Sequence, residues 1–194
     1  MEVLQWWDGH HTTNDKQYLT GTTLAQYTEI FEVSELVEKG KRFLEIGVGK
    51  GFAIRDLVAL GKEVEALDIS QVALDKVSKI AKTHITPTTL PSNSFDVIIM
   101  HLVAQHVNTA TLTKLLKHAI RSLNYGGVLL LQTADVVDYK DRPQTDKYQC
   151  EGGVLYSDEV LRNIVKGCKG RVARKLDGKI YDTVTWHLYH IGKA

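Results

Sequence analysis

The sequence predicts an α/β fold: a doubly wound mixed sheet, mostly parallel, with helices on both faces and one antiparallel strand from a C-terminal hairpin. Three observations carry this. Short apolar runs alternate with amphipathic ones across residues 42–166, the order of a sheet built from strand–helix–strand units. Two of those runs, Phe95-Asp-Val-Ile-Ile-Met100 and Val128-Leu-Leu-Leu-Gln-Thr133, are apolar with almost no alternation, as in strands buried on both faces. The chain closes with strand-like runs at residues 171–176 and 183–191, and Asp177-Gly178 lies in their connection, a hairpin pattern.

Each element follows from local pattern. The polar stretch 8–23 reads as a loop or short helix that caps the domain. Leu24, Tyr27, Ile30 and Phe31 recur at helical spacing and lead through Leu36 and Val37 to Gly40, which gives one or two amphipathic helices with a glycine C-cap. Arg42-Phe-Leu-Glu-Ile46 is a short strand ended by glycines. A helix with Phe52, Ile54, Leu57, Val58 and Leu60 follows, closed by Gly61. Residues 63–68 form a second strand, and 70–81 a helix with Val72, Leu74, Val77 and Ile80 on one face. Pro87 and Pro91 bar a helix from 83–90, which reads as extended or irregular. Beyond the strand at 95–100, a helix spans 109–123 and Asn124-Tyr-Gly-Gly127 turns the chain. A polar stretch after Thr133 interrupts the pattern, and Ser157 caps a helix to about Lys166. The expectation is a single domain over 1–194, with 1–40 a helical cap or lid and 41–194 the core.

Composition narrows the function classes. Apolar content is 43% and charged content 24%, ordinary for a globular domain. The net charge of +1 and the lack of a long Lys/Arg run give no reason to expect a nucleic-acid partner. The N-terminus lacks the basic start and apolar stretch of a signal peptide, and no segment reaches the roughly 20 apolar residues of a membrane span. The expectation is a soluble, cytoplasmic protein, monomer or homodimer, with no membrane partner. Cys150 and Cys168 read as unpaired thiols, and no metal-ligand spacing occurs.

The glycine turn is the most informative segment. The first strand delivers Glu45-Ile-Gly47-Val-Gly49-Lys-Gly51 to the start of a helix. Glycines there let backbone approach a ligand without a Cβ in the way. Glu45 repels phosphate and welcomes an ammonium or a hydroxyl. Asp68 ends the second strand, where a carboxylate can accept two hydrogen bonds from a ribose diol. The pair suits a ligand with a cationic amino-acid end and a ribose. The rival ligand, a nicotinamide dinucleotide, has the fingerprint Gly-x-Gly-x-x-Gly, whereas this chain has Gly-x-Gly-x-Gly behind a carboxylate.

Four ordered segments resemble a known family. Phe43-Leu-Glu-Ile-Gly-Val-Gly-Lys-Gly51, Ala66-Leu-Asp-Ile-Ser70, Leu90-Pro91 with Ser94-Phe-Asp-Val-Ile98, and Asn124-Tyr-Gly-Gly-Val-Leu-Leu130 resemble the motifs of class I S-adenosylmethionine-dependent methyltransferases, in the small-molecule, type 11-like branch. The resemblance covers residues 42–133 and implies a Rossmann-like fold. It implies S-adenosyl-L-methionine as cofactor and S-adenosyl-L-homocysteine as product. By resemblance, Glu45 and the backbone of Gly47, Val48, Gly49 and Gly51 face the methionine end. Asp68 holds the ribose, Ile69 packs on the adenine, and Thr88, Thr89 and Leu90 line the adenine edge. Met100 and His101 pass near the sulfonium. One departure stands out: many relatives carry an acid a few positions before Leu-Pro, and here the stretch is Ile85-Thr-Pro-Thr-Thr89.

The acceptor side is less defined. His101 and His106 follow the strand at 95–100 and titrate near neutrality, so they are the candidate catalytic bases. Trp6, Trp7 and Tyr18 in the N-terminal segment, and Tyr139 and Arg142 after Thr133, are candidate acceptor contacts with His106. His187 and His190 read as core or surface. The function expected is methyl transfer to a small polar acceptor, on a hydroxyl oxygen of a sugar or other metabolite, by in-line displacement with the reactants held in place. The alternatives are a non-catalytic S-adenosylmethionine-binding protein and, more remotely, a nicotinamide-dependent oxidoreductase.

Overall fold

The computed structural model describes residues 3–12, 23–86, 88–134, 156–181 and 184–194. Among them seven strands form one sheet: β1 (Arg42–Ile46), β2 (Glu63–Asp68), β3 (Lys82–Ile85), β4 (Phe95–Met100), β5 (Leu123–Ala134), β6 (Gly170–Tyr181) and β7 (Val184–Lys193). The order is β3-β2-β1-β4-β5-β7-β6. By Cα packing the chain forms two compact units, Met1–Thr89 and Leu90–Ala194.

In the first unit β1 pairs parallel with β2, and β2 parallel with β3. Five helices accompany them: α1 (Val3–Thr12), α2 (Leu24–Phe31), α3 (Ser34–Lys39), α4 (Phe52–Ala59) and α5 (Gln71–Asp75). Thr23 and Gln26 form a capping box at the start of α2, which satisfies two of its orphan amides. The Asp56 carboxylate on α4 accepts the Leu24 N–H at 3.0 Å. The β1 burial is continuous from Phe43 to Ile46.

Three details differ from the pattern-based expectation. The first helix is Val3–Thr12, so it begins before the stretch read as a cap. The helix expected over 70–81 holds α geometry only to Asp75. There the Lys76 carbonyl accepts Arg55 Nη2 at 3.3 Å, and Ile80 N–H turns back to the Val77 carbonyl instead. The segment after it contains β3, whose residues are half-buried or exposed. Such a polar strand carries little hydrophobic signal.

In the second unit β4 pairs parallel with β5, and β5 pairs antiparallel with β7, which pairs antiparallel with β6. The hairpin therefore contributes one antiparallel strand, β7, as the sequence indicates. The Asn124-to-Gly127 turn lies inside β5, at a register shift in which Leu123 faces Phe95 and Val128 faces Val97. Gly126 has φ +78, and a Cβ on Gly127 would stand 2.9 Å from the Phe95 carbonyl oxygen. Both positions therefore favour glycine. Two helices, α6 (Thr109–Ser122) and α7 (Asp158–Gly167), are capped by Asn108 and Ser157. Leu112, Leu116, Ala119 and Ile120 of α6 are buried along one stripe. Cys168 is a free, buried thiol, and Cys150 lies outside the described residues. No helix among the described residues is long and apolar enough to cross a membrane.

Candidate active site

The first unit builds a cradle at the ends of β1 and β2. Gly47, Gly49 and Gly51 all have positive φ, at 83°, 55° and 69°, so the backbone of the turn needs residues without a Cβ. Gly47 N–H donates to the Leu67 carbonyl at 2.8 Å and extends the β1–β2 ladder one step past the strand. A Cβ on Gly51 would stand 2.4 Å from Val77 Cγ1. Glu45 is 3% exposed, one residue before the end of β1.

Asp68 organises this turn. Its Oδ2 accepts the Val48 N–H at 2.7 Å and its Oδ1 accepts the Ser70 N–H at 2.9 Å. Burial pushes its carboxyl above the ordinary value, against the pull of the amides of Ser70, Val48, Ile69 and Gly49. A carboxylate has about four lone-pair sites. The Val48 and Ser70 amides take one on each oxygen, and a carboxylate placed at a strand end is a group to which a diol hydroxyl could donate. The residues fit the ammonium and ribose ends of S-adenosylmethionine, and two buried or nearly buried acids fit a phosphate poorly. Ile69 is half-buried beside Asp68, Thr88 is half-buried and Thr89 exposed.

Sequence reasoning missed the layer behind this cradle. Ser70 Oγ donates to Asp8 Oδ1 on α1 at 2.6 Å, and Lys76 Nζ donates to the His11 carbonyl at 3.0 Å. The helix α1 is thus fastened to α5, two residues from Asp68. Arg55 Nη1 donates to the Lys50 carbonyl at 2.8 Å and its Nη2 to the Lys76 carbonyl, so one guanidinium braces the glycine turn against the end of α5. Ser70 was readable as a helix start; its partner on α1 was not. Trp7 stacks on His11, with ring centroids 5.7 Å apart. Trp6 lies on α1, and Tyr18, Tyr139 and Arg142 lie outside the described residues.

The second unit holds the histidines. Leu90 is 2% exposed, and its carbonyl accepts Arg121 Nη2 at 2.8 Å. Met100 ends β4, fully buried, and His101 follows at 7% exposure. Burial alone holds the His101 imidazole down to about 4, so it is neutral at neutral pH. Leu102 then takes a left-handed φ of 56°, uncommon for a bulky residue. Its N–H donates to Gln132 Oε1 on β5 at 3.1 Å. A single 3₁₀ turn, Ala104–His106, carries His106 half-buried. Tyr156 Oη donates to the Val107 carbonyl at 2.7 Å and pins the end of that turn. Gln132 and Tyr156 were not singled out in the sequence, since both act through contacts distant along the chain. His187, on β7, is buried with Nδ1 2.7 Å from Asp177 Oδ1. Among the described residues no group of three or more His, Cys, Asp or Glu side chains is placed to hold a metal.

Residues 44–131 match the family model described as a methyltransferase domain. No curated protein has a matching sequence. Solved structures share the fold at low identity. An S-adenosylmethionine-dependent methyltransferase from Clostridium acetobutylicum is 13% identical, with 97% of this chain and 99% of that one covered and a TM-score of 0.73. The 1,6-didemethyltoxoflavin-N1-methyltransferase of Burkholderia thailandensis, solved with its substrate and S-adenosylhomocysteine, is 10% identical, with 99% and 87% covered and a TM-score of 0.75. The magnesium protoporphyrin IX methyltransferase of Synechocystis is 14% identical, with 100% and 89% covered and a TM-score of 0.66. Over residues 44–131 the chain is thus similar to a methyltransferase domain, and its fold is that of these S-adenosylmethionine-dependent methyltransferase structures.

Proposed function

We propose that the chain methylates a hydroxyl oxygen of a small polar molecule, with His106 as the base that takes the hydroxyl proton. S-adenosylmethionine, when bound, supplies a methyl group already activated on a sulfonium. The protein's share is then alignment, exclusion of water and proton transfer. Glu45 holds the ammonium end, Asp68 the ribose diol, and Ile69, Thr88, Thr89 and Leu90 surround the adenine. Met100 and His101 stand beside the sulfonium.

The choice between the histidines rests on one observation. A base works best with a pKa near the operating pH, and His101 is held at about 4 by burial. It is the weaker proton acceptor and serves as packing beside the cofactor. His106 sits on a turn fixed at one end by Val103, whose carbonyl accepts its N–H at 2.9 Å, and at the other by Tyr156. That supports a preorganised role. The acceptor-side candidates Trp6, Trp7, Tyr18, Tyr139 and Arg142 complete the proposal. Two of the structural neighbours are named for 1,6-didemethyltoxoflavin and magnesium protoporphyrin IX, which supports a small organic acceptor.

Calorimetry with S-adenosylhomocysteine, followed by methyl-transfer assays over hydroxylated metabolites, tests the reading. His106→Ala is expected to keep cofactor affinity and lower turnover by about 10²–10⁴-fold. Undiminished turnover in that variant rules out His106 as the base. Cofactor binding with no transfer to any acceptor would leave a binding protein.

A further inference from the structure

Two side-chain amides at the ends of β4 and β5 are built into the second unit with polar atoms left unmatched. Gln132, on β5, is 0% exposed. Its Oε1 accepts the Leu102 N–H, which fixes the orientation of the amide, because only the oxygen can accept. The Nε2 on the other side is buried and has no hydrogen-bond partner among the described residues. Gln105, in the 3₁₀ turn after β4, is 9% exposed, and its Oε1 is likewise buried and unpartnered among the described residues. The turn packs directly against β5. Buried polar atoms without partners are rare in folded proteins, and each asks for an explanation.

The surroundings indicate what would satisfy them. Residues 100–108 and 128–134 contain no Asp, Glu, Lys or Arg. His101 is neutral there. Desolvating an ionised ligand beside these two segments is costly, because neither segment carries a counter-charge for it. A neutral ligand with one acceptor and one donor would complete both amides.

We propose that Gln132 Nε2 and Gln105 Oε1 recognise the methyl acceptor, one donating to a carbonyl or hydroxyl oxygen and the other accepting from an O–H or N–H. They select a neutral molecule that carries both kinds of group and reject a carboxylate or an ammonium. The proposal rests on the methyltransferase reading above and names the substrate class of that site. Gln132 also has a second role, because its oxygen holds Leu102 in the left-handed conformation from which the turn bearing His106 departs.

Two measurements on the whole chain test it. Replacing Gln105 by Met removes an unsatisfied oxygen at similar volume. The Gln105→Met variant is expected to melt higher than the parent, by about 2–6 °C. A lower melting temperature would mean that the oxygen has a partner in the folded protein, such as a fixed water, and would overturn the proposal. In the second measurement the side-chain amide signals of Gln132, assigned through bonds in ¹⁵N-labelled protein, are followed by NMR. The probes are glycolamide, glycolate and ethanolamine, matched in size and differing in charge. Shifts with glycolamide alone, lost in Gln105→Met, support the proposal. Equal shifts with all three, or none with any, overturn it. Calorimetry with S-adenosylhomocysteine on the same samples separates the readings: no heat of binding sinks the cofactor assignment, and the amide result still stands or falls by itself.

Discussion

The carboxylate of Asp68 accepts the backbone N–H of Val48 at 2.7 Å, so the residue assigned to the ribose also holds the glycine turn in place. Asp68→Ala removes the proposed ligand contact and a scaffold contact together. Hydrogen bonds to charged groups contribute about 1.5–3 kcal/mol, and a weakening of S-adenosylmethionine binding of about that size is expected by calorimetry. Asp68→Asn offers no full rescue. The Val48 and Ser70 partners, one on each carboxylate oxygen, are N–H donors, and an amide can accept on one side only. Unchanged affinity in both variants would remove Asp68 from the site.

Cofactor affinity should fall on acidification. Burial raises the Asp68 carboxyl, and diol donors favour its ionised form, so the bound state has the lower pKa. As pH drops through the raised free value, the carboxylate is protonated before binding and affinity declines. The dissociation constant measured at decreasing pH is expected to rise for the parent and to stay flat for Asp68→Asn. In the free protein the same group acts on stability with the opposite sense. A raised folded pKa gives stability that is present below the unfolded value and lost as pH rises through the folded one.

His101 has the reverse sign. Its folded pKa is depressed from 6.5 to about 4 by burial. The unfolded chain therefore takes up a proton that the folded one refuses, and stability is lost as pH falls from about 6.5 towards 4. At pH 5 the loss is about 2 kcal/mol relative to neutral pH. Urea titrations at the two pH values should show it, and His101→Leu should show a difference smaller by about that amount. An equal difference in the variant would mean that the loss comes from other groups.

These contrasts also separate what the sequence discloses from what it hides. The glycine turn and the strand ends at Glu45 and Asp68 are legible because positive φ and a carboxylate at a strand end leave local marks. The same holds for β4 and the core of β5, whose apolar runs have few other readings. The strand β3 is not, because Lys82-Thr-His-Ile85 has polar residues and little burial. The early end of α5 coincides with a contact from Arg55, 21 positions before Lys76 in the chain. Gln132 is written within an apolar run, and its bond to Leu102 depends on the β4–β5 register. Contacts made by folding leave no periodicity behind.

Gly51 should not tolerate a side chain. Its φ of +69° strains any L-residue, and the new Cβ would meet Val77 Cγ1 at 2.4 Å. Left-handed strain costs about 1–2 kcal/mol and overpacking about 1–3 kcal/mol. Gly51→Ala is expected to lose about 2–4 kcal/mol in denaturant unfolding. The pair Gly51→Ala with Val77→Ala should recover the packing part and keep the backbone part. Full recovery would show that the turn adopts another conformation.

The last prediction concerns how α1 is held. Asp8 is the acceptor of the Ser70 hydroxyl, and Ser70 also caps α5 by accepting the Ala73 N–H at 3.3 Å. Removing Asp8 leaves that cap intact and takes away a side-chain tie between α1 and α5, while Lys76 to the His11 carbonyl remains. Asp8→Ala should therefore loosen α1 selectively. The bond lies in a half-buried place and its loss is expected to cost about 1–2 kcal/mol of local stability, below the cost of global unfolding. Hydrogen exchange should report it: amides of α1 exchange about 5–30-fold faster, while those of β1 and β2 keep their rates. Asp8→Asn retains an acceptor oxygen and should restore most of the protection. If β1 and β2 accelerate equally with α1, the helix is part of the cooperative core and the Asp8–Ser70 bond is not a local fastening.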